Sequence, residues 1–286
     1  MKILLTGSSG FVGKHVLTEL LKYSHTVIIS TTDTSKTFIS DNNDRFEKME
    51  FNINFADNYG NLMRYFGYPD MLIHLAWQGL PNYNESIHDE QLIGHYKFIK
   101  NLVENGMKKI VASGTCLEYG LQEGCLAETM KSNPILPYAT AKTKLCDYIG
   151  SLQKQHRFKF NWLRLFYMYG EGQNTKSILS QLENAIKNKQ HTFNMSKGEQ
   201  QRDYLPIEKV AEYIVKVALQ KKIEGIVNCC SGKPITIFTL VQEYLNKHHA
   251  EIKLNLGCFP YPDYEPFSFY GDTQKLNLAL GNNLNK

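Results

Sequence analysis

Thr6-Gly7-Ser8-Ser9-Gly10-Phe11-Val12-Gly13 is the stretch on which the fold turns. It follows a short apolar run over residues 2–5. It opens a segment with apolar residues at Val12, Val16, Leu20 and Leu21, a helical period. A strand that passes through three glycines straight into a helix is built to cradle phosphate. Gly7 permits the tight turn, Gly10 lets the backbone approach a pyrophosphate, and Gly13 lets the helix pack closely on the strand. The helix N-terminus then offers free N–H groups and partial positive charge to an anion.

The pattern outward from this turn is repetitive. Residues 26–29, 71–75, 109–112 and 161–165 read as further short strands, and 12–23, 90–105 and 139–155 as helices. The alternation predicts an α/β fold, a Rossmann-like doubly wound parallel sheet with helices on both faces. After about Gly170 the pattern changes. Helices are predicted over 177–188, 207–219 and 236–247, one more strand over 226–230, and an irregular stretch rich in Pro and aromatics over 257–269. No flexible linker separates the halves. The expectation is a dinucleotide-binding domain over 1–170 that carries the catalytic side chains. A smaller C-terminal substrate-binding cap over 171–286 is partly interwoven with its sheet.

Composition narrows the function classes. With 42% hydrophobic residues in 286, a sizeable core can be buried and wholesale disorder is excluded. Lys+Arg of 32 against Asp+Glu of 28 leaves +4, which suits an anionic small molecule. The lysines are dispersed and no basic aromatic patch occurs, so nucleic acid is not an expected partner. The 6 cysteines form no C-x-x-C pair and no ligand-spaced set with His, so reduced thiols and no metal site are expected. Apolar runs fall short of a membrane span, and the N-terminus reaches Thr6-Gly7 too soon for a signal peptide. A cytoplasmic protein is the expectation.

The spacing G-x-x-G-x-x-G, in place of G-x-G-x-x-G, resembles the extended short-chain dehydrogenase/reductases of the nucleotide-sugar epimerase, dehydratase and ketoreductase type. Tyr138-Ala139-Thr140-Ala141-Lys142 has the Y-x-x-x-K spacing of that family. Residues four apart share a helix face, so an ammonium beside a phenol is expected to draw the Tyr pKa down from about 10. That suits Tyr138 as a proton donor to, or acceptor from, a sugar oxygen. Ser113-Gly114-Thr115-Cys116-Leu117-Glu118-Tyr119-Gly120 follows a strand and is similar to the family's S-S-S-x-x-V-Y-G segment. Aligned on Tyr119-Gly120, Thr115 takes the place of the catalytic Ser, with Ser113 as the alternative.

The resemblance implies further site residues. The dinucleotide would lie against Gly7, Ser9, Gly10, Phe11, Val12, Gly13, Thr31, Thr32, Asn52, Ile53, Leu75, Ala76, Tyr138 and Lys142. His74, in an H-x-A segment, is expected to pack and not to take part in chemistry. Leu163-Arg164-Leu165-Phe166-Tyr167-Met168-Tyr169-Gly170 looks like the family's L-R-x-F-N-x-Y-G, with Tyr167 in place of the substrate-binding Asn. Ser177, Arg202 and Glu265 match the positions that hold the substrate's diphosphate and ribose. The second diphosphate Arg, expected shortly before Glu265, is missing, and Arg202 could instead pair with Asp203. Helices 90–105 and 139–155 match those through which family members form homodimers.

Departures from the pattern select the reaction. Dehydratases of the family carry Asp-Glu after the catalytic Thr; here Cys116 and Leu117 follow, so elimination of water lacks its acid and base. Cys116 itself is read as a packed thiol, with an epimerising acid/base role as the alternative. The second strand ends Ser30-Thr31-Thr32, three hydroxyls with no acid at the tip, which favours NADP(H) slightly over NAD(H). The expected reaction is reduction of a 4-keto-6-deoxyhexose nucleotide. A 4-epimerase with tightly bound NAD is the alternative, and a non-catalytic dinucleotide-binding redox sensor the remote one.

Overall fold

The structure is a computed structural model, and it describes residues 1–36 and 45–281. The first half runs β1 (Lys2–Thr6), α1 (Phe11–Leu20), β2 (Thr26–Thr31), β3 (Phe46–Glu50), α2 (Leu62–Tyr65), β4 (Met71–His74), α3 (Ile87–Glu90), α4 (Leu92–Glu104), β5 (Lys109–Thr115), β6 (Gly124–Leu126), α5 (Pro137–Gln155), β7 (Lys159–Leu165) and β8 (Tyr167–Tyr169). The second half adds α6 (Ile178–Lys187), β9 (Thr192–Asn194), β10 (Gln201–Pro206), α7 (Ile207–Leu219), β11 (Gly225–Cys229), β12 (Pro234–Thr236), α8 (Ile237–Lys247), β13 (Lys253–Asn255), β14 (Phe269–Gly271) and α9 (Gln274–Leu280).

Seven strands form one parallel sheet in the order β11-β7-β5-β4-β1-β2-β3. Its inner strands β1, β2 and β4 are buried almost throughout because each face is covered, while the edge strand β3 is charged and partly exposed. Ile3 and Leu5 of β1 join one core with α1, α7 and α9, while Leu4 joins a second core with α2, α4 and α5. The same alternation puts Val111 on the first face and Ile110 and Ala112 on the second. The chain leaves β1 and β4 toward opposite faces, so a crevice opens between them at the strands' carboxyl ends. The glycine turn sits on one side of it and residues 75–77 on the other.

Residues 171–281 are shared between this sheet and a smaller layer. β11, α7 and α9 complete the sheet and its first core. α6 and α8 pack with the small β13-β9 sheet into a separate core around Leu182 and Val241. The three-stranded sheet β12-β10-β8 and the pair β14-β6 join the layers. Thr236 and Ser177 cap α8 and α6 with their hydroxyls.

Some boundaries differ from those read in the sequence. The predicted helix over 90–105 starts earlier and is divided at Gln91, whose side chain is committed to the loop at Gln78. Asn52 lies two residues beyond β3, not within a strand; its side chain caps the next turn by accepting from Asn54 N at 3.0 Å. All 6 cysteines are free thiols. No helix among the described residues is long and apolar enough to cross a membrane, and among them no His, Cys, Asp and Glu cluster is placed to hold a metal.

Candidate active site

The glycine turn is held by backbone, not by side chains. Gly7 has φ +76°, and a Cβ there would lie 2.6 Å from Ala76 N. A Cβ on Gly13 would lie 1.9 Å from the Gly7 carbonyl oxygen, so α1 can start this close to β1 only with glycine. Gly10 is different. A Cβ there would meet only the Gly7 carbonyl, at 3.3 Å, yet Gly10 lines the crevice, and a side chain would stand in the cradle itself. Gly10 is also the N-cap of α1 and brings no side-chain cap to its first N–H groups.

Two adjoining cavities fill the crevice. One of about 500 Å³ runs from Gly7, Gly10, Phe11, Val12 and Gly13 past Thr115, Tyr138 and Lys142 to Tyr167. The other, of about 200 Å³, is lined by Ser9, Thr31, Thr32, Asn52, Ile53, Leu75 and Ala76 among others. The combined cleft is in the size range of cofactor sites. The residues read from the sequence as dinucleotide contacts therefore face one continuous space. The open Gly10 cradle, the uncapped helix start and the hydroxyl-lined far end fit a dinucleotide.

Tyr138 and Lys142 stand one turn apart on α5, which Pro137 opens at its first position. The Tyr138 backbone N–H donates to the Tyr83 carbonyl at 3.0 Å, fixing the helix start under the cleft. Thr115, the last residue of β5, lines the same cavity as Tyr138 and acts on its phenol, and the Thr115 hydroxyl accepts from Leu117 N at 3.2 Å. Ser113 contributes its carbonyl, which accepts from Lys142 Nζ at 2.9 Å; its own hydroxyl reaches only the His74 carbonyl at 3.5 Å. The geometry thus brings Thr115, not Ser113, to the phenol.

The charge states differ from the sequence expectation. Burial pushes the Tyr138 phenol well above its ordinary value, with Tyr83, Glu118 and Cys116 adding to it and the Thr115 hydrogen bond opposing. Burial draws the Lys142 ammonium down to about 7. The Lys142 ammonium is directed to the Ser113 carbonyl and over the Trp77 ring, and burial decides the phenol. Cys116 is 5% exposed and burial pushes its thiol upward, which fits the packed reading and not an acid/base role.

Beyond the cleft, Tyr167 donates its hydroxyl to Glu265 Oε1. Glu265 Oε2 accepts from Arg202 Nη2 at 2.9 Å and Nε at 3.2 Å. Three of the four substrate-side residues read from the sequence therefore meet in one half-buried cluster. Ser177 stands apart from it, bonded to Ser180 as the cap of α6. The Arg202–Asp203 pairing does not form. Asp203 is fully buried and accepts instead from the backbone N–H groups of Ser231, Gly232 and Gly271.

Glu118 was missed. It is fully buried and accepts from Thr115 N at 2.9 Å, Trp162 Nε1 at 2.9 Å and Arg164 Nε at 2.8 Å. With Thr115 it closes a capping box, and the T-x-x-E spacing of Thr115 and Glu118 was the signal for it. It holds the backbone of the residue whose hydroxyl meets Tyr138.

His74 is a packed residue, as its segment suggested, but it belongs to a chain. Gln91 Oε1 accepts from Gln78 N at 3.0 Å, so His95 Nε2 donates to it at 3.3 Å. His95 Nδ1 must then accept from His74 Nε2 at 2.9 Å, and His74 Nδ1 from the Thr6 hydroxyl at 2.8 Å. Every nitrogen is satisfied with both rings neutral. Burial and the Lys142 charge hold both imidazoles low, His95 at about 3, and the facing His95 ring adds to this for His74. An unfolded His95 takes up a proton that the folded one refuses, so stability contributed here is lost as pH falls from about 6.5 toward 3. The thermal midpoint is expected to drop on acidification across that window, and to drop less in His95→Gln. An identical drop in the two proteins would refute the neutral chain.

Fold and site together define a dinucleotide-dependent enzyme with a Tyr and Lys pair at the carboxyl edge of a doubly wound sheet. The sequence pattern of the "NAD dependent epimerase/dehydratase family" matches residues 3–230, and the chain belongs to that family. It is 29% identical over 274 residues to dTDP-6-deoxy-L-talose 4-dehydrogenase (NAD(+)) of Aggregatibacter actinomycetemcomitans, covering 95% of this chain and 99% of the relative. It is 27% identical over 266 residues to dTDP-4-dehydro-6-deoxyglucose reductase of Escherichia coli, covering 88% and 82%. The structure of UDP-glucuronic acid 4-epimerase from Bacillus cereus, in complex with UDP-glucuronic acid and NAD, superposes with a TM-score of 0.85 at 21% identity, covering 100% of this chain and 95% of that one. That likeness concerns the fold.

Proposed function

We propose that the protein is a nucleotide-sugar 4-ketoreductase acting on a 4-keto-6-deoxyhexose nucleotide. The observation that carries this is Thr115, Tyr138 and Lys142 lining one cleft that runs on from the glycine cradle, with Cys116 and Leu117 where a dehydratase needs its acids. The relatives named as a 4-dehydrogenase and a 4-dehydro-6-deoxyglucose reductase support the same reading.

A nicotinamide dinucleotide bound against Gly7, Gly10, Gly13 and Lys142 supplies the hydride for the sugar carbonyl. Tyr138 gives its proton to the carbonyl oxygen as that oxygen gains charge, and the O–H bond of the phenol is the one that breaks. Burial keeps the phenol protonated, which is the form a reduction needs. Thr115 orients the same oxygen, and Lys142 holds the ribose. The Tyr167–Glu265–Arg202 cluster marks the nucleotide side of the substrate, with Arg202 for the diphosphate, Glu265 for the ribose and Ser177 at the start of α6.

Purified protein is expected to consume NADPH only when a 4-keto nucleotide sugar is added, followed by the loss of near-ultraviolet absorbance. Tightly held NAD with interconversion of 4-epimers and no net oxidation would identify a 4-epimerase instead. Thr31 and Thr32 put hydroxyls and no carboxylate at the end of β2, so kcat/KM for NADPH is expected to equal or exceed that for NADH. A ratio below one would assign NADH, the cofactor named for the talose relative. Arg202→Met is expected to raise KM for the nucleotide sugar by about a hundredfold, the scale of a lost charged, buried contact. NADPH affinity should stay unchanged; equal loss of both would remove Arg202 from the substrate side. A homodimer through α4 and α5 completes the proposal, and a monomer mass in sedimentation would exclude it.

A further inference from the structure

Trp77 follows Ala76 at the end of the β4 turn and lines both cavities of the cleft. Its ring is held from three sides. One contact is a stack on His95, with centroids 4.7 Å apart and planes at 20°. His95 is itself locked into the chain that ends at Thr6. The indole N–H donates to His88 Nδ1 at 3.0 Å, and His88 Nε2 donates in turn to the Asn82 carbonyl at 2.7 Å. The Lys142 ammonium lies 4.0 Å from the ring centroid. Trp77 also meets the edge of Tyr138, centroid to centroid 6.1 Å.

A fully buried lysine is a long, flexible chain with a charge at its tip. Lys142 is 2% exposed, and a hydrogen bond to the Ser113 carbonyl anchors that tip. A single carbonyl fixes a distance but not a direction. An aromatic face on a second side restricts the direction and compensates part of the lost hydration, an interaction that strengthens when water is excluded. The rigid His95–Trp77–His88 arrangement would be out of proportion for a ring that merely fills space beside a solvent cleft.

We infer that Trp77 is a positioning residue for Lys142, holding the ammonium against the Ser113 carbonyl so that it meets the dinucleotide ribose at a fixed place. This rests on the reading of the cleft as a dinucleotide site. Trp77 itself touches no reacting atom in this scheme. Its signal in the sequence was absent, because the four groups that define its role come from residues 88, 95, 113 and 142.

The test compares two kinds of substitution in the full chain. Trp77→Phe keeps an aromatic face and loses the N–H; Trp77→Leu keeps apolar bulk and loses the face. NADH and NADPH are titrated by their own fluorescence, and steady-state rates are measured beside them. Trp77→Leu is expected to weaken dinucleotide binding by about tenfold, within the range of a cation–π contact, and Trp77→Phe by no more than about threefold. KM for the nucleotide sugar should hold in both. Trp77→Met serves as the second non-aromatic variant where the Leu protein does not fold, with folding checked by circular dichroism. Wild-type affinity in the folded Leu or Met variant overturns the inference. Equal loss in Phe and Leu also overturns it, by moving the role to the His88 hydrogen bond. A wild-type protein that binds neither NADH nor NADPH removes the dinucleotide reading, and the inference goes with it.

Discussion

Tyr138→Phe is expected to lower kcat by about a thousandfold, inside the range that a positioned acid or base supplies. The substitution removes one oxygen. The ring keeps its neighbours, Tyr83 at 5.5 Å and His88 at 5.3 Å between centroids, and the helix start stays fixed by the backbone bond to Tyr83. Thr115 keeps its bond from Leu117 N, so the hydroxyl beside the lost phenol stays in place. Stability and dinucleotide affinity should therefore be close to wild type, and the loss should fall on kcat. The pH profile separates the two partners of the pair. Lys142 is drawn down to about 7, so its cation is present below that pH and lost above it. Dinucleotide binding should weaken as pH rises through about 7, equally in wild type and Tyr138→Phe, because the limb belongs to the lysine. Substantial turnover in Tyr138→Phe, or loss of the binding limb with the phenol, would sink the assignment of roles.

What could be read before any coordinates were those features in which one short segment holds both cause and effect. The glycine turn is one, because Gly7, Gly10 and Gly13 are needed by backbone that lies within seven residues, apart from the contact at Ala76. Tyr138 and Lys142 are another, since a helix brings positions four apart to one face. Glu118 was readable in the same local way, through its capping-box spacing to Thr115, and was overlooked because a buried carboxylate three residues past a catalytic position looks like an ordinary loop residue. Long-range partnerships are of another kind. His74 meets His95 across 21 residues, Glu118 meets Arg164 across 46, and Arg202 meets Glu265 across 63. Only the strand order decides those meetings. The phenol pKa failed for a related reason: helix spacing brought the lysine near, but burial under residues from distant segments raised the phenol, with Tyr83 and Glu118 adding to it.

Arg164→Met is the second large effect, and it acts on stability. Arg164 is 1% exposed; it bonds Glu118 Oε2 at 2.8 Å and Ser132 Oγ at 2.5 Å, and it lies over the Tyr119 ring at 4.3 Å. Burial pushes the Glu118 carboxyl upward, and the guanidinium with the N–H donors of Thr115 and Trp162 opposes that. Thr115 N, Trp162 Nε1 and Arg164 Nε all donate to Glu118, so an ionised carboxylate is the form they suit. Removing the guanidinium leaves that charge buried without its counterion, at a cost of about 3–5 kcal/mol. The carboxyl can escape by holding a proton, which raises its folded pKa further above the unfolded one. Stability so retained is present at low pH and lost as pH rises, so the variant should be weaker at pH about 8 than at pH about 5. Adding Glu118→Gln removes the stranded charge, and urea midpoints of the double variant should recover most of the loss. Its kcat should not recover, because the charge-assisted hold on the Thr115 N–H is gone. A single variant as stable as wild type would show that the pair carries no weight. A double variant with full activity would show that Thr115 is placed without Glu118.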